Sequence, residues 1–476
     1  MGNPRGFIQI PRKVAGYRPL NERLDDYGEV EQTLNEQDRR DQASRCMDCG
    51  VPFCQWGCPV MNNMPEWQEA IHKGDWEAAI SNLHETNNFP EFTGRICPAP
   101  CEAACTLNIH KEPVTIRENE AAAAEKGFDL GYIRPNPPKK RTGKKIAVIG
   151  SGPAGMACAD LLNKWGHDVK LFEKDDAVGG LLRYGIPDFK LNKKVIDRRL
   201  DILIREGLKI QTNTHVGIDV KGSELLRKYD AICIATGAMK PRDIPVEGRE
   251  LKGICFAMEF LTQQNKAVKG LKIPDEERIL ATGKNVLVIG GGDTGSDCVG
   301  TSTRHGAKNI LQVEILPKPP EERLPVNPWP FWANVLRTSS SHEEGCERRW
   351  NISTKRFLGE NGSVRQAEVV EIEWIEENGK MTMVEKPETS QIIDVDLVLL
   401  ALGFLHPVHE GLADEFGLKF DPKGNIKVDT NYQTSVPKVF AAGDSMMGAS
   451  LVVRAIHHGR QAAKAMHEFL TKQNPV

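Results

Sequence analysis

The chain has 476 residues, 40% hydrophobic and 27% charged, the proportions of globular material long enough for about three domains. A formal charge of −3 supplies no basic face for nucleic acid, and no apolar run reaches the ~18 residues that a membrane span needs. The opening MGNPRGFIQIPRK lacks the apolar core of a secretory signal, and Gly6 stands where myristoylation needs Ser or Thr, so a cytoplasmic protein is expected.

Residues 1–45 are polar, rich in Arg, Asp and Glu, and show little periodicity. Two cysteine blocks follow: Cys46, Cys49, Cys54 and Cys58, then Cys97, Cys101 and Cys105. Between them, Pro65 suits the first turn of a helix over 65–73, and Asp75 suits the cap of a second over 76–86. An Ala-rich helical stretch near 115–126 precedes RPNPPKKRTGKK at 134–145, which reads as a linker. Residues 1–140 are therefore expected to form a helical domain.

Twelve cysteines with seven gathered at one end of a long chain point to metal rather than to a disulfide scaffold, which is short and dense throughout. Iron–sulfur clusters take thiolates, usually four each. Zinc also accepts paired cysteines, but seven do not divide into fours and neither block contains His. Two clusters need eight ligands, and a carboxylate from Glu102, Glu118 or Glu120 is the candidate for the one missing. Cys158, Cys233, Cys255, Cys298 and Cys346 are scattered singly and read as small buried hydrophobes.

At IAVIG, 146–150, strand and helix patterns begin to alternate, the signature of a parallel α/β sheet. Gly150, Ser151, Gly152, Pro153, Ala154 and Gly155 form GxGxxG between that strand and a helix over 156–165. The first glycine permits a tight turn, the second a close approach of pyrophosphate, and the third close packing of helix on strand. Helix N–H groups face the phosphates. Glu173 ends the next strand, where an acid accepts from ribose hydroxyls. FAD rather than NAD is indicated by a second glycine turn at 179–187, carrying Gly180, Leu181 and Arg183. VFAAGD points the same way: Gly443 and Asp444 precede a helix opened by Ser450, Leu451 and Val452, whose N-terminus suits a reduced flavin.

A second strand, NVLVIG, begins at 285 and leads into Gly290, Gly292, Asp293, Thr294 and Gly295, the candidate nicotinamide-nucleotide loop. Glu314 on its next strand favours NAD, whereas Arg304 and Lys318 suit a 2′-phosphate, so nucleotide preference stays open. Thr236 and Gly237 in ATG, and the ALG at 401–403, end strands where the chain crosses between two nucleotide domains. The second domain, 281–399, is therefore expected to be inserted into an FAD domain of 141–280 plus 400–476. No cysteine pair follows the first loop, which excludes a disulfide reductase needing a dithiol beside the flavin. His457 and His458 read as surface or packing residues.

On these motifs, together with CMDCGVPFCQWGCP, GRICPAPCEAAC, NPWPFW at 327–332, SSHEEG at 340–345 and SLVVRAIHHGR, the chain resembles, from end to end, the small (β) subunit of bacterial NADPH-dependent glutamate synthase. Its N-terminal portion and both nucleotide domains are also similar to part of dihydropyrimidine dehydrogenase. The resemblance implies FAD, NADPH and two [4Fe–4S] clusters. One cluster would sit on Cys46, Cys49, Cys54 and Cys105, the other on Cys58, Cys97, Cys101 and a non-cysteine ligand at Glu120. Arg454 departs from the family, where an aromatic is common. The resemblance further implies a hetero-oligomer with a large (α) subunit carrying FMN and an iron–sulfur centre, where 2-oxoglutarate and glutamine-derived ammonia become L-glutamate. The chain has neither an N-terminal Cys to hydrolyse glutamine nor the length for an FMN barrel. A free-standing or electron-bifurcating NAD(P)H:ferredoxin oxidoreductase is the alternative with the same cofactors, and a zinc-stabilised interaction module is the non-enzymatic one.

Overall fold

The computed structural model describes residues 3–377 and 379–472. Its first third is helical. Helix Met64–Lys73 carries Pro65 in its first turn and stops at Gly74, whose φ of 78° few other residues adopt. The Asp75 side chain then accepts from the Ala78 backbone N–H at 3.1 Å and starts helix Trp76–Thr86. Helices Pro90–Ile96 and Ile116–Asp129 touch at Gly94, where a Cβ would lie 2.5 Å from the Ala121 backbone nitrogen. This contact brings the second cysteine block beside Glu120. Trp67, Ile71, Leu83, Phe89 and Phe92 fill the space between these helices.

Two parallel sheets follow, each of five strands. In the first the order is Val439–Ala441, Ala231–Ile234, Lys145–Ile149, Asp168–Phe172 and Lys209–Gln211. Its central strand is apolar on both faces because helices cover both. In the second the order is Ile254–Phe256, Leu397–Leu400, Asn285–Ile289, Asn309–Glu314 and Glu347–Trp350. The second sheet's strands lie between those of the first along the chain, so one Rossmann-like unit is nested in the other. One boundary differs from the sequence reading: Ile254–Phe256 pairs in parallel with Leu397–Leu400, so the second unit begins well before residue 281. Three residues of strand carry too little periodicity to declare their sheet.

A four-stranded antiparallel sheet, Ile352–Glu360, Ser363–Glu377, Lys380–Glu385 and Gln391–Asp394, was not anticipated either. Phe357, Val364, Ala367 and Val369 join the core of the second parallel sheet, while Arg365, Glu371 and Glu373 face solvent.

The long C-terminal helix, Val452–Lys472, packs on helix Pro153–Lys164, which follows the first glycine loop. Gly459 permits it, since a Cβ there would lie 2.1 Å from the Ala154 carbonyl oxygen. The helical domain is fastened to the first unit by Arg199, which donates from Nε and Nη2 to the two Glu91 carboxylate oxygens at 2.6 and 2.8 Å. Both side chains are buried. Arg199→Met leaves a carboxylate buried without its cation, an expected loss of about 3–5 kcal/mol. Chemical denaturation should show it, and Glu91→Leu added to Arg199→Met should recover most of it.

Candidate functional site

The first glycine loop is tied down from below. The Gly150 N–H donates to the Phe172 carbonyl at 2.9 Å, and a Cβ on Gly150 would lie 2.4 Å from the Ala235 carbonyl oxygen. The ATG segment therefore forms the wall against the first glycine. A Cβ on Gly155 would lie 1.9 Å from the Gly150 carbonyl oxygen, whereas Gly152 has open space on that side. Those are the requirements of a turn that a phosphate approaches closely. Glu173 is buried, and it accepts from the Ser151 N–H at 3.1 Å, from the Ser151 hydroxyl, and from the Asp175 N–H at 2.9 Å.

The turn at 179–187 folds over this loop. Gly179 N–H donates to Ser151 Oγ at 3.0 Å, and a Cβ on Gly180 would lie 3.0 Å from the Gly152 Cα. Leu181 starts a short helix, Leu181–Tyr184, within the turn. Arg183 is turned away from the loop: its buried guanidinium donates to the Val178 carbonyl and to Asp197. Its expected contact with a cofactor is thus replaced by a structural one.

Gly443, with φ of 71°, presses on Ala154, and Asp444 accepts from Ser450 Oγ at 2.7 Å. Burial raises the Asp444 carboxyl above its usual range, partly offset by the Ser450 hydrogen bonds. Ser450 and Leu451 form the turn into the helix that Val452 opens. Thr236 Oγ1 is buried beside Gly237 without a hydrogen-bond partner, an orphaned polar atom at the rim of the loop. His458 is buried and held neutral, pushed down to about 4 by burial and by its neighbours His457 and Arg454.

The second loop repeats the first. A Cβ on Gly290 would lie 2.3 Å from the Ala401 carbonyl oxygen, and one on Gly295 would lie 2.2 Å from the Gly290 carbonyl oxygen. Gly292 is again open, with Asp293 exposed and Thr294 half-buried at the helix start. Glu314 takes the place of Glu173, accepting from the Gly291 N–H at 2.6 Å. Arg304 is withdrawn as a phosphate ligand: its buried guanidinium pairs with Glu344 at 2.6 and 3.1 Å, stands over Phe189, and donates to the Asp26 and Arg23 carbonyls. Lys318 remains exposed, above the Trp350 ring that Arg348 also faces.

In the helical domain the cysteines divide into two sets. Cys46, Cys49, Cys54 and Cys105 line one cavity together with Phe53, Leu107 and Ile116. Burial pushes the Cys46 thiol up to about 12 and raises Cys54 and Cys105, with neighbouring thiols adding to the shift. Cys58, Cys97 and Cys101 form the other set, each feeling the Glu120 carboxylate. Burial takes Cys97 to about 12, Cys58 to about 11 and Glu120 to about 7. Glu120 is held by hydrogen bonds from Asn87 Nδ2, at 2.9 Å, and from Thr93. Its rivals are occupied elsewhere: Glu102 by Arg12 at 2.8 Å, and Glu118 by the Ala15 N–H at 3.2 Å and by Arg39. Donors raised this far suit cations, which deprotonate the thiols they bind. Among the described residues, no three His, Cys, Asp or Glu side chains converge closely enough for a single metal ion.

The NPWPFW segment, quoted for resemblance but without a role, covers the first set. Trp329 lies 4.6 Å from Phe53, the rings tilted by 53°, and donates Nε1 to the Ala104 and Cys105 carbonyls, both at 3.2 Å. Val51, Trp56 and Phe331 are exposed at its edge. Only contact across 224 residues of chain reveals this, and no local pattern signals it.

Residues 144–459 match the family model described as pyridine nucleotide-disulphide oxidoreductase, and residues 23–131 that of dihydropyrimidine dehydrogenase domain II, 4Fe-4S cluster. Among solved structures, Mycobacterium tuberculosis FprA in complex with NADPH is similar in fold, with TM-score 0.54 and 17% identity over 69% of this chain and 85% of that one. The fold and the site together define an oxidoreductase with two nested nucleotide-binding units and an iron–sulfur domain. The glutamate synthase (NADPH) small chains of M. tuberculosis and Bacillus subtilis are 46% and 42% identical, over 99% of this chain and 96% and 99% of theirs. The glutamate synthase (NADH) of Schizosaccharomyces pombe is 46% identical over 97% of this chain, which spans 22% of that protein. The chain belongs to the glutamate synthase small-chain family. No helix among the described residues is long and apolar enough to cross a membrane.

Proposed function

We propose that the chain is the NADPH-oxidising subunit of glutamate synthase, feeding electrons to a large subunit that carries FMN and an iron–sulfur centre and makes L-glutamate from 2-oxoglutarate and glutamine. One observation carries this reading: two glycine loops of the same construction, each braced by a carboxylate from the next strand, on a chain that also gathers four thiols around one cavity. The first loop, with Gly150, Gly152, Gly155, Thr236, Gly443 and Asp444, would hold FAD. The second, with Gly290, Gly292, Thr294 and Gly295, would hold NADPH, with Lys318, exposed and 3.8 Å from Glu321, to meet its 2′-phosphate. The two cysteine sets, the second completed by Glu120, would hold two [4Fe–4S] clusters. When bound, the nicotinamide and flavin supply two-electron chemistry and the clusters one-electron carriage.

The chain's own part is positioning. Open space at Gly152 and Gly292 lets phosphates reach the N-termini of helices Pro153–Lys164 and Asp293–Arg304. Glu173 and Glu314 hold the loops and stand where each ribose would lie. Burial keeps water from Cys58, Cys97, Cys101 and Cys105, while Cys46, Cys49 and Cys54 are half-buried. The absence of a cysteine pair after the first loop separates the chain from the dithiol-bearing members of its wider family.

Anaerobic titration with NADPH, followed by visible absorbance, tests the reading. Rapid bleaching of a flavin spectrum in a sample with about eight irons per chain is expected. A sample with zinc in place of iron, or one bleached by neither NADPH nor NADH, sinks it. Copurification with a ferredoxin-type partner instead of a glutamate synthase large chain would favour the free-standing oxidoreductase.

A further inference from the structure

A run of polar contacts leads from the second glycine loop to Lys190, beside the turn that folds over the first, and the binding roles above make no use of it. Gln312, buried in strand Asn309–Glu314, donates from Nε2 to the Gly290 carbonyl at 2.9 Å. That fixes its amide, so Oε1 faces His342 Nε2, 2.9 Å away. His342 Nδ1 in turn accepts from the Ser339 N–H at 3.2 Å. Ser339 Oγ meets Ser296 Oγ at 2.6 Å, and Lys190 Nζ donates to Ser296 Oγ at 3.3 Å and pairs with Asp297 at 2.5 Å. Lys190 belongs to the first unit, just beyond the turn whose Gly180 rests on Gly152. The second unit also grips that turn directly, through Thr262 Oγ1 to the Tyr184 carbonyl at 3.1 Å and Asn265 Nδ2 to the Ile186 carbonyl at 3.2 Å.

From Gln312 to the Ser339 N–H, the donors and acceptors are consistent in one arrangement. Gln312 gives one proton to Gly290 and takes one from His342 Nε2, which leaves Nδ1 bare to accept from Ser339. A protonated His342 would set a donor against the Ser339 N–H. Burial, with Arg348 and Lys190 nearby, pushes His342 down to about 4, so the imidazole stays neutral in ordinary buffers. Space is as tight as the hydrogen bonding: a Cβ on Gly295 would lie 2.6 Å from Gln312 Nε2.

We propose that Gln312 and His342 are positioning residues that set the shape of the second glycine loop, and that Lys190, through Ser296 and Asp297, sets its place relative to the first loop and so the approach of nicotinamide to flavin. This rests on the reading that NADPH binds the second loop and FAD the first. The role explains why the Ser-Ser-His-Glu-Glu-Gly segment lies behind the loop: Ser339, just before it, meets Ser296 of helix Asp293–Arg304, and Glu344 holds that helix's last residue, Arg304.

The two ends of the run predict opposite kinetic splits. In stopped-flow reduction of the flavin by NADPH, Gln312→Leu in the full chain should raise the Kd for NADPH about tenfold, the worth of one buried hydrogen bond, and leave the limiting rate within about twofold. Lys190→Met should lower the limiting rate about tenfold and leave Kd within about twofold. Gln312→Glu keeps the side chain's shape and loses the donor, so it should match Gln312→Leu even if the leucine variant folds poorly. FAD content should be unchanged in each. Wild-type values of both parameters in Gln312→Glu and Lys190→Met would overturn the relay while leaving the dehydrogenase reading intact. A wild-type chain whose flavin neither NADPH nor NADH reduces would overturn both.

Discussion

Gly155→Ala should yield a folded chain that no longer retains FAD. The methyl group would arrive 1.9 Å from the Gly150 carbonyl oxygen, and Gly150 cannot retreat, because its own Cα faces the Ala235 carbonyl and its N–H is bound to Phe172. Overpacking against backbone costs about 1–3 kcal/mol even where neighbours can shift, and here the strain falls on the turn that would cradle the pyrophosphate. A loss of about a hundredfold in FAD affinity corresponds to the upper end of that range. Flavin released by heat from the purified chain, measured against iron in the same sample, gives the result. Gly295→Ala is the matched control: its Cβ would meet the Gly290 carbonyl at 2.2 Å, so flavin should stay bound while bleaching by NADPH is lost. If Gly155→Ala keeps its flavin and Gly295→Ala does not, the two loops have been assigned in the wrong order.

The glycine loops were legible in the sequence because everything that defines them is local: a strand, a turn and a helix within about thirty residues. Glu173 and Glu314 were legible for the same reason, at a fixed distance beyond each turn. The helices around Pro65 and Asp75 could be read because a first-turn proline and a capping carboxylate act on their own neighbours. What stayed hidden depends on contacts between distant segments. Arg304 has the right charge at a plausible distance from the second loop, yet Glu344 and the carbonyls of Arg23 and Asp26 already use its donors. Arg183 lies in the correct turn but spends its guanidinium on Asp197. Lys190, Gln312 and His342 belong to no spacing rule, and only the fold places them in line.

Cys54→Ser and Cys97→Ser should each remove about four of the eight expected irons and leave the others, because the two residues serve different sets. Cys54 shares its cavity with Cys46, Cys49 and Cys105, whereas Cys97 feels Cys58 and Glu120. A serine hydroxyl is a weaker acid and a harder donor than a thiol, so it is a poorer ligand for a cluster iron. Flavin content and its bleaching by NADPH should survive both changes, since neither residue touches a glycine loop. Electron delivery onward to a one-electron acceptor should fall in both, because the flavin would have lost part of its path out. Glu120→Ala should behave as Cys97→Ser does, and this arm tests the carboxylate apart from the thiols: its buried side chain, hydrogen-bonded by Asn87 and Thr93, lies beside Cys58, Cys97 and Cys101. Equal iron loss in Glu120→Ala and Cys97→Ser, with the first set intact, would establish a three-thiolate, one-carboxylate site. Full iron in Glu120→Ala would leave that corner to another ligand, and loss of all iron in any one variant would mean that the two sets hold their metal as a single unit.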